Sequence, residues 1–250
     1  MLKMKDLSVL LFCSMVSLPG CSKPEEATAP KAANSEPAVD GAAASVVAPT
    51  EAIPEKAVAP VVPVADRSKP LATYEKLDSG RKLLFAYLAV GTQPVEYEKV
   101  AGLISPGLSY ADEFKKRDLI QSLRPGIDAE IEQAKGIRYY YMDMSGILDK
   151  YDFDSKSFRF MAFANDTPSV YFPTTGNYSM VFTNAVQYRR FTVTDEAKAR
   201  QIETLRAEAS NMKSKVYFFT TGEQLGEKIV NAEIVKVQLL DPKGNLLVEM

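Results

Sequence analysis

From Ser22 to Pro70 the chain has no aromatic residue and carries proline at 24, 30, 37, 49, 54, 60, 63 and 70. This stretch is rich in Ala, Val, Glu and Ser and cannot bury enough apolar surface to offset the entropy of ordering it. Prolines at that spacing block helices and favour extended, polyproline-like backbone. The segment reads as a disordered Pro/Ala-rich linker of about 48 residues, with a reach of roughly 150 Å extended and roughly 40 Å as a coil. A fold is confined to residues 71–250, about 180 residues, enough for a single core of ordinary size.

Ahead of the linker, Lys3 and Lys5 precede an apolar run from Leu7 to Leu18. The run is too short to span a bilayer and has the length of a signal-peptide core. It closes in Leu18-Pro19-Gly20-Cys21. That tetrad resembles the lipobox of bacterial lipoproteins, although Pro19 departs from the usual small or β-branched residue. The resemblance implies cleavage between Gly20 and Cys21, which removes residues 1–20 as a signal peptide. It also implies a diacylglycerol thioether on Cys21 and acylation, for instance by palmitate, of the new amine. Residues 21–70 are then the lipidated cysteine and linker. Cys13 follows bulky Phe12 and does not compete. Ser22 stands where Asp would retain an enterobacterial lipoprotein in the inner membrane. By that rule the protein is anchored in a Gram-negative outer membrane, with its domain in the periplasm. Two or more acyl chains anchor stably where one is marginal.

Within 71–250 the first half reads as helical. Thr73 is placed to cap a helix to about Val90, with Tyr74, Leu77, Leu84 and Leu88 on one face. Ser109 with Asp112 resembles a capping box for a helix through Phe114, Leu119 and Leu123. Pro125-Gly126 predicts a break, followed by a short helix from Ile127 to Lys135. The second half alternates as strands do: Arg138–Met144, Ser157–Phe163, Val186–Val193, Lys215–Thr220, Ala232–Leu240 and Leu246–Glu249. One helix interrupts them from Thr194 to about Asn211, with Ala199, Ile202, Leu205, Ala209 and Met212 as its apolar stripe. Asp241-Pro242-Lys243-Gly244-Asn245 makes the last two strands a hairpin. The expected class is α+β, with a helical N-terminal half and a largely antiparallel sheet in the C-terminal half.

Composition excludes much chemistry. The chain has no His and two Cys, one in the signal segment and one at the lipid position. Ser-His-Asp and Cys-His catalysis, thiolate chemistry and His- or Cys-ligated metals are therefore closed to the mature protein, as is a disulfide. No phosphate-cradling Gly-rich loop, dinucleotide fingerprint or nucleophile elbow appears, so no cofactor is expected. A net charge of −2 with no basic stripe speaks against nucleic acid.

Two clusters remain. Tyr139 and Tyr141 share one face of a strand, with Tyr140 on the other; they read as core packing or as an aromatic surface for a partner. Asp149, Asp152 and Asp154 form the densest acidic run. Oxygen-rich cation loops need carboxylates close in sequence, but here no turn glycine or closing Glu is present. The alternative is a solvated turn whose Tyr151, Phe153 and Phe158 enter the core. The region around Tyr151–Phe158 and the closing strands resembles uncharacterised domains of other bacterial lipoproteins, which implies no activity. The sequence thus favours a non-enzymatic, tethered domain that binds another envelope component in assembly, secretion or surface structure. The alternatives are an immunity or inhibitor lipoprotein that binds a foreign enzyme, and a carboxylate-dependent hydrolase.

Overall fold

A computed structural model of the chain describes residues 63–250 apart from positions 166, 167, 174, 175 and 225. The expected signal segment, Gly20, Cys21 and the expected linker through residue 62 lie outside the described residues.

The backbone contains four α-helices and ten strands among these residues, in an α+β arrangement. Strand β1 is only Glu75–Lys76, and α1 runs from Gly80 to Val90. The cap of α1 is Ser79, whose hydroxyl accepts the Lys82 N–H, and not Thr73. Thr73 ends a 3-10 turn, Leu71–Thr73. Tyr74 and Leu77 have helical spacing from Leu84, yet they serve the sheet: the Leu77 N–H donates to the Tyr141 carbonyl at 2.8 Å.

Helix α2, Tyr97–Ile104, has no side-chain cap and carries Gly102 inside, which leaves it little sequence signature. Helix α3 spans Glu113–Lys135 without the expected break at Pro125-Gly126. Its cap is Asp112, which accepts the Lys115 N–H at 3.0 Å. An internal proline costs about 3 kcal/mol through its lost N–H and ring clash. Tertiary contacts on both sides of the proline offset that cost. The Arg124 guanidinium lies 4.2 Å over the Tyr97 ring, while the Tyr97 hydroxyl donates to Asp128 at 2.6 Å. Beyond the proline, Ile127, Ile131 and Ala134 are buried in the core.

The remaining elements are β2 (Tyr139–Ser145), β3 (Leu148–Asp152), β4 (Ser157–Phe160), β5 (Ser169–Tyr171), β6 (Ser179–Phe182), β7 (Arg190–Thr192), α4 (Glu196–Ala207), β8 (Lys213–Gln224), β9 (Ile229–Leu240) and β10 (Leu246–Glu249). The larger sheet has the order β1-β2-β8-β9-β6-β5, with β10 also on β9. Only β1–β2 and β6–β9 are parallel in it. A second, antiparallel sheet has the order β3-β4-β7.

Two expected strands are shorter than their alternation suggested. β4 gives way to a 3-10 turn, Met161–Phe163, and another turn, Ala185–Tyr188, precedes β7. In the second case Tyr188 is buried and its hydroxyl donates to the Ile234 carbonyl at 3.0 Å, which holds the chain in the turn. The closing hairpin forms as expected. Asp241 accepts the Lys243 and Asn245 N–H groups, both at 2.8 Å, and Gly244 takes φ +90°.

The core lies between one face of the large sheet and the elements packed on it. A series of ring contacts runs from the small sheet to the large one: Phe191–Phe160–Phe163–Phe182–Phe218–Tyr140, with centroids 5.0–5.9 Å apart. Such pairs add about 0.5–1.5 kcal/mol each beyond area burial. A bulge at Val235 shifts the parity of β9, so Val230, Ala232 and Ile234 before it and Val237 and Leu239 after it are all buried.

Helix α4 ends in a Schellman motif built on an alanine. The Ser210 N–H donates to the Leu205 carbonyl at 3.0 Å and the Ala209 N–H to that of Arg206 at 3.1 Å, with Ala209 at φ +50°. A side chain in that conformation costs about 1 kcal/mol that glycine avoids. Ala209→Gly is expected to raise stability by about 1 kcal/mol, read as an increase in the urea midpoint with an unchanged slope.

Candidate functional site

The face of the large sheet opposite α1 carries a second aromatic cluster, separate from the main core. Tyr139 pairs across the ladder with Phe219, and Tyr141 with Tyr217. Their ring centroids are 4.8 and 5.7 Å apart. Tyr74, arriving just before β1, stands edge-on to Tyr139 at 5.2 Å and to Tyr217 at 5.4 Å. The alternation of β2 sends Tyr140 the other way, stacked on Phe218 in the core. Tyr139 and Tyr141 are half-buried, while Tyr74 and Phe219 are buried.

Cations overlie these rings. Lys69 Nζ is 4.2 Å from the Tyr139 centroid, Lys215 Nζ 5.2 Å from that of Tyr141, and the Arg138 guanidinium 5.9 Å from that of Phe219. None of the three forms a salt bridge among the described residues. Neighbouring cations do: Lys76 pairs with Asp143 and Lys236 with Glu249, each at 2.8 Å. Residues from the end of the expected linker also contact the folded part. The Asp66 N–H donates to the Tyr139 hydroxyl at 2.7 Å, and Arg67 donates to the Tyr188 hydroxyl at 3.1 Å. Tyr74, Tyr217, Phe219, Lys69, Arg138 and Lys215 are the members that sequence reasoning did not single out. The run Val216-Tyr217-Phe218-Phe219 carried the signal, since its alternate rings must share a face with a paired Tyr139 and Tyr141.

The acidic run is divided among separate tasks. Asp149 accepts the Lys150 N–H at 2.8 Å. Asp152 accepts the Asp154 and Ser155 N–H groups, both at 3.1 Å, and pairs with Arg190 at 3.0 Å. Hydrogen bonds from Ser155, and then Arg190, hold its carboxyl below the usual range. No group of three or more His, Cys, Asp or Glu side chains that could hold a metal occurs among the described residues. Phe158 is fully buried and the Tyr151 hydroxyl donates to the Val193 carbonyl at 2.8 Å. Phe153 does not enter the core as expected: at the tip of the β3–β4 turn it is 80% exposed, because nothing packs beyond the hairpin to receive it.

Three phenols have their ionisation pushed up to about 12: Tyr74 by burial and then Tyr139, Tyr87 by burial and then Glu223, and Tyr140 by burial and then Glu75. A pKa raised in the folded state means that the associated stability is complete below the unfolded value of 10.0 and is lost as pH rises towards 12. Alkaline titration should show these phenols ionising late, together with loss of circular dichroism. Ionisation of every tyrosine near pH 10 in the still-folded protein would contradict this.

Comparison of the chain with protein-family models, with curated proteins and with solved structures returned no match.

Proposed function

We propose that the protein is a lipid-anchored component of a bacterial outer membrane whose domain, held on its Pro/Ala-rich linker, is a non-enzymatic binding module. It takes an acidic segment of another envelope protein. Leu18-Pro19-Gly20-Cys21 behind an apolar run supports the anchor, and the absence of His and of a free Cys in the mature chain supports a role without catalysis. The observation that carries the choice of partner is the aromatic face. Lys69, Lys215 and Arg138 lie over its rings with no carboxylate among the described residues in a salt bridge to them. Half-buried Tyr139 and Tyr141 offer rigid, amphipathic contact area at low entropic cost. Carboxylates from a partner would meet cations already partly desolvated by those rings.

The test uses the full-length lipoprotein in its native envelope. A photo-crosslinking residue at Lys215 should yield one specific protein adduct, and the same residue at Lys198 on α4 should not. Lys69→Glu introduced with the Lys215 probe should abolish the adduct. An adduct that persists through this charge reversal, or that forms equally at Lys198, contradicts the reading. The anchor is tested separately: Cys21→Ala should lose labelled palmitate, and label retained elsewhere on the chain would refute lipidation at Cys21.

A further inference from the structure

On the core side of the large sheet, Tyr140 is 3% exposed, and its hydroxyl forms no hydrogen bond among the described residues. The hydroxyl is not one of the fully occluded unpartnered atoms, which include the Tyr74 hydroxyl. The small part of Tyr140 that solvent reaches therefore includes its oxygen. Tyr140 forms part of the wall of a cavity of about 280 Å³ between the first turn of α1 and the last turns of α3. Burying a phenol and leaving its hydroxyl unpaired carries a desolvation cost that natural cores avoid. Here the residue that carries the unpaired group lines a space that something can fill.

The walls restrict what fits. Phe85, Ala134 and Ile137 supply apolar surface. Ser79 and Gln133 supply the other uncommitted polar groups: the Ser79 oxygen accepts the Lys82 N–H but its proton has no acceptor, and the Gln133 amide has no partner among the described residues. The charged residues at the rim are already matched. Arg81 makes a bidentate pair with Glu130, and Lys82 pairs with Glu75 at 3.3 Å and Asp78 at 3.4 Å. Arg81 and Lys82 against Glu75 and Glu130 leave the lining with no net charge. The volume lies just under the range of sites that hold whole drug-sized ligands, so the cavity suits one group and a short body.

We propose that this cavity binds an uncharged amide on a branched aliphatic body, with the amide carbonyl accepting from the Tyr140 hydroxyl. The amide N–H and the aliphatic part meet Gln133 and the Phe85–Ala134–Ile137 wall. Burial, then Glu75, keeps the Tyr140 phenol protonated up to about 12, so at neutral pH it is a donor that needs an acceptor. Carboxylates face Glu75 and Glu130, and ammonium ions face Lys82 and Arg81, so both charged classes lose solvation without gaining an unpaired counter-charge. This site is on the opposite face of the sheet from Tyr139 and Tyr141 and stands or falls independently of the protein-binding reading.

Full-length protein is titrated with N-acetyl-leucinamide and followed by amide chemical shifts. The expected result is saturable shifts at Ser79, Arg81 and Gln133, with a dissociation constant on the order of 1 mM, as befits a ligand of this size. Tyr140→Phe and the surface change Gln133→Ala should each weaken binding about fivefold to tenfold, the worth of one hydrogen bond. N-acetyl-leucine, which is charged, should bind at least tenfold more weakly than the amide. A leucine-containing capped tripeptide separates the sources: tighter binding indicates a peptide segment, and exclusion indicates a small molecule. The proposal is overturned by the absence of shifts at Ser79 and Gln133, by equal affinity for the charged acid, or by unchanged binding in both variants.

Discussion

Gly146→Ala is expected to destabilise the domain by about 2–4 kcal/mol, lowering its melting temperature by about 10 °C. Gly146 lies between β2 and β3, where the chain leaves one sheet for the other. A β-carbon there would stand 2.8 Å from both the carbonyl carbon and oxygen of Met212 and 2.9 Å from the Lys213 nitrogen. These are backbone atoms and cannot rotate aside. The same backbone is fixed by the Gly146 N–H, which donates to the Met212 carbonyl at 3.0 Å, and by the Ser145–Lys213 ladder pair. Relief of the clash requires that hydrogen bond, and the end of the β2–β8 ladder, to open. Overpacking of this kind costs about 1–3 kcal/mol, and the lost hydrogen bond about 1 kcal/mol more. Gly102→Ala provides the contrast. Gly102 lies inside α2 with nothing within 4 Å of the added carbon, so helix propensity alone predicts a gain of just under about 1 kcal/mol. Urea unfolding of the two variants should shift in opposite directions. A Gly146→Ala midpoint within error of the wild type would mean that the β2–β3 junction is far more plastic than its contacts imply.

The features that sequence made legible are those with short-range causes. Alternation along β2, β8, β9 and β10, and the Asp241–Asn245 turn, arise from residues that touch one another or their immediate partners, and they are seen where periodicity places them. Asp195 likewise caps α4 from within its own first turn, accepting the Ala197 N–H at 2.9 Å. Two of the misreadings involve a distant partner. Tyr74 and Leu77 have the spacing of a helix face, but a two-residue parallel strand claims that segment, and parallel pairing with Tyr140 and Tyr141 leaves no local mark. Pro125-Gly126 is a strong local break signal, overridden by Tyr97, which holds Arg124 and Asp128 from another helix. The shared face of Tyr139 and Tyr141 could be read from period-two geometry. The cations over it could not, since Lys69, Arg138 and Lys215 come from three separated stretches. The unpaired Tyr140 hydroxyl is also invisible in sequence, because its surroundings come from α1 and α3, one of them distant from β2 in sequence.

Asn184→Leu is expected to cost about 3 kcal/mol, because Asn184 substitutes for a missing length of strand. The outer edge of β9 is shared: β6 pairs with Ile229 to Ala232, and β10 with Gln238 to Leu240. Between them the Thr183 N–H donates to the Ala232 carbonyl at 2.9 Å, and the Met250 and Val237 backbones bond to each other at 2.8 and 2.9 Å. That leaves Ile234, fully buried, with its N–H and carbonyl facing a gap in the ladder. The Asn184 amide fills it: Oδ1 accepts the Ile234 N–H at 2.8 Å and Nδ2 donates to the Ile234 carbonyl at 2.9 Å. The Tyr188 hydroxyl also donates to that carbonyl, at 3.0 Å, so the orphan left by leucine is the N–H. Two lost hydrogen bonds and one buried unpaired donor account for the magnitude. Asn184→Asp separates the two halves of the amide's role. Its carboxylate still accepts from the N–H but repels the carbonyl, which raises its pKa in the folded state. The variant should therefore be nearest wild type below the unfolded carboxylate value of about 4 and lose stability as pH rises through the higher folded value. Paired urea titrations of variant and wild type across that range read the difference directly. A constant gap at every pH would show that the carbonyl contact contributes nothing and that the Ile234 N–H alone needs Asn184.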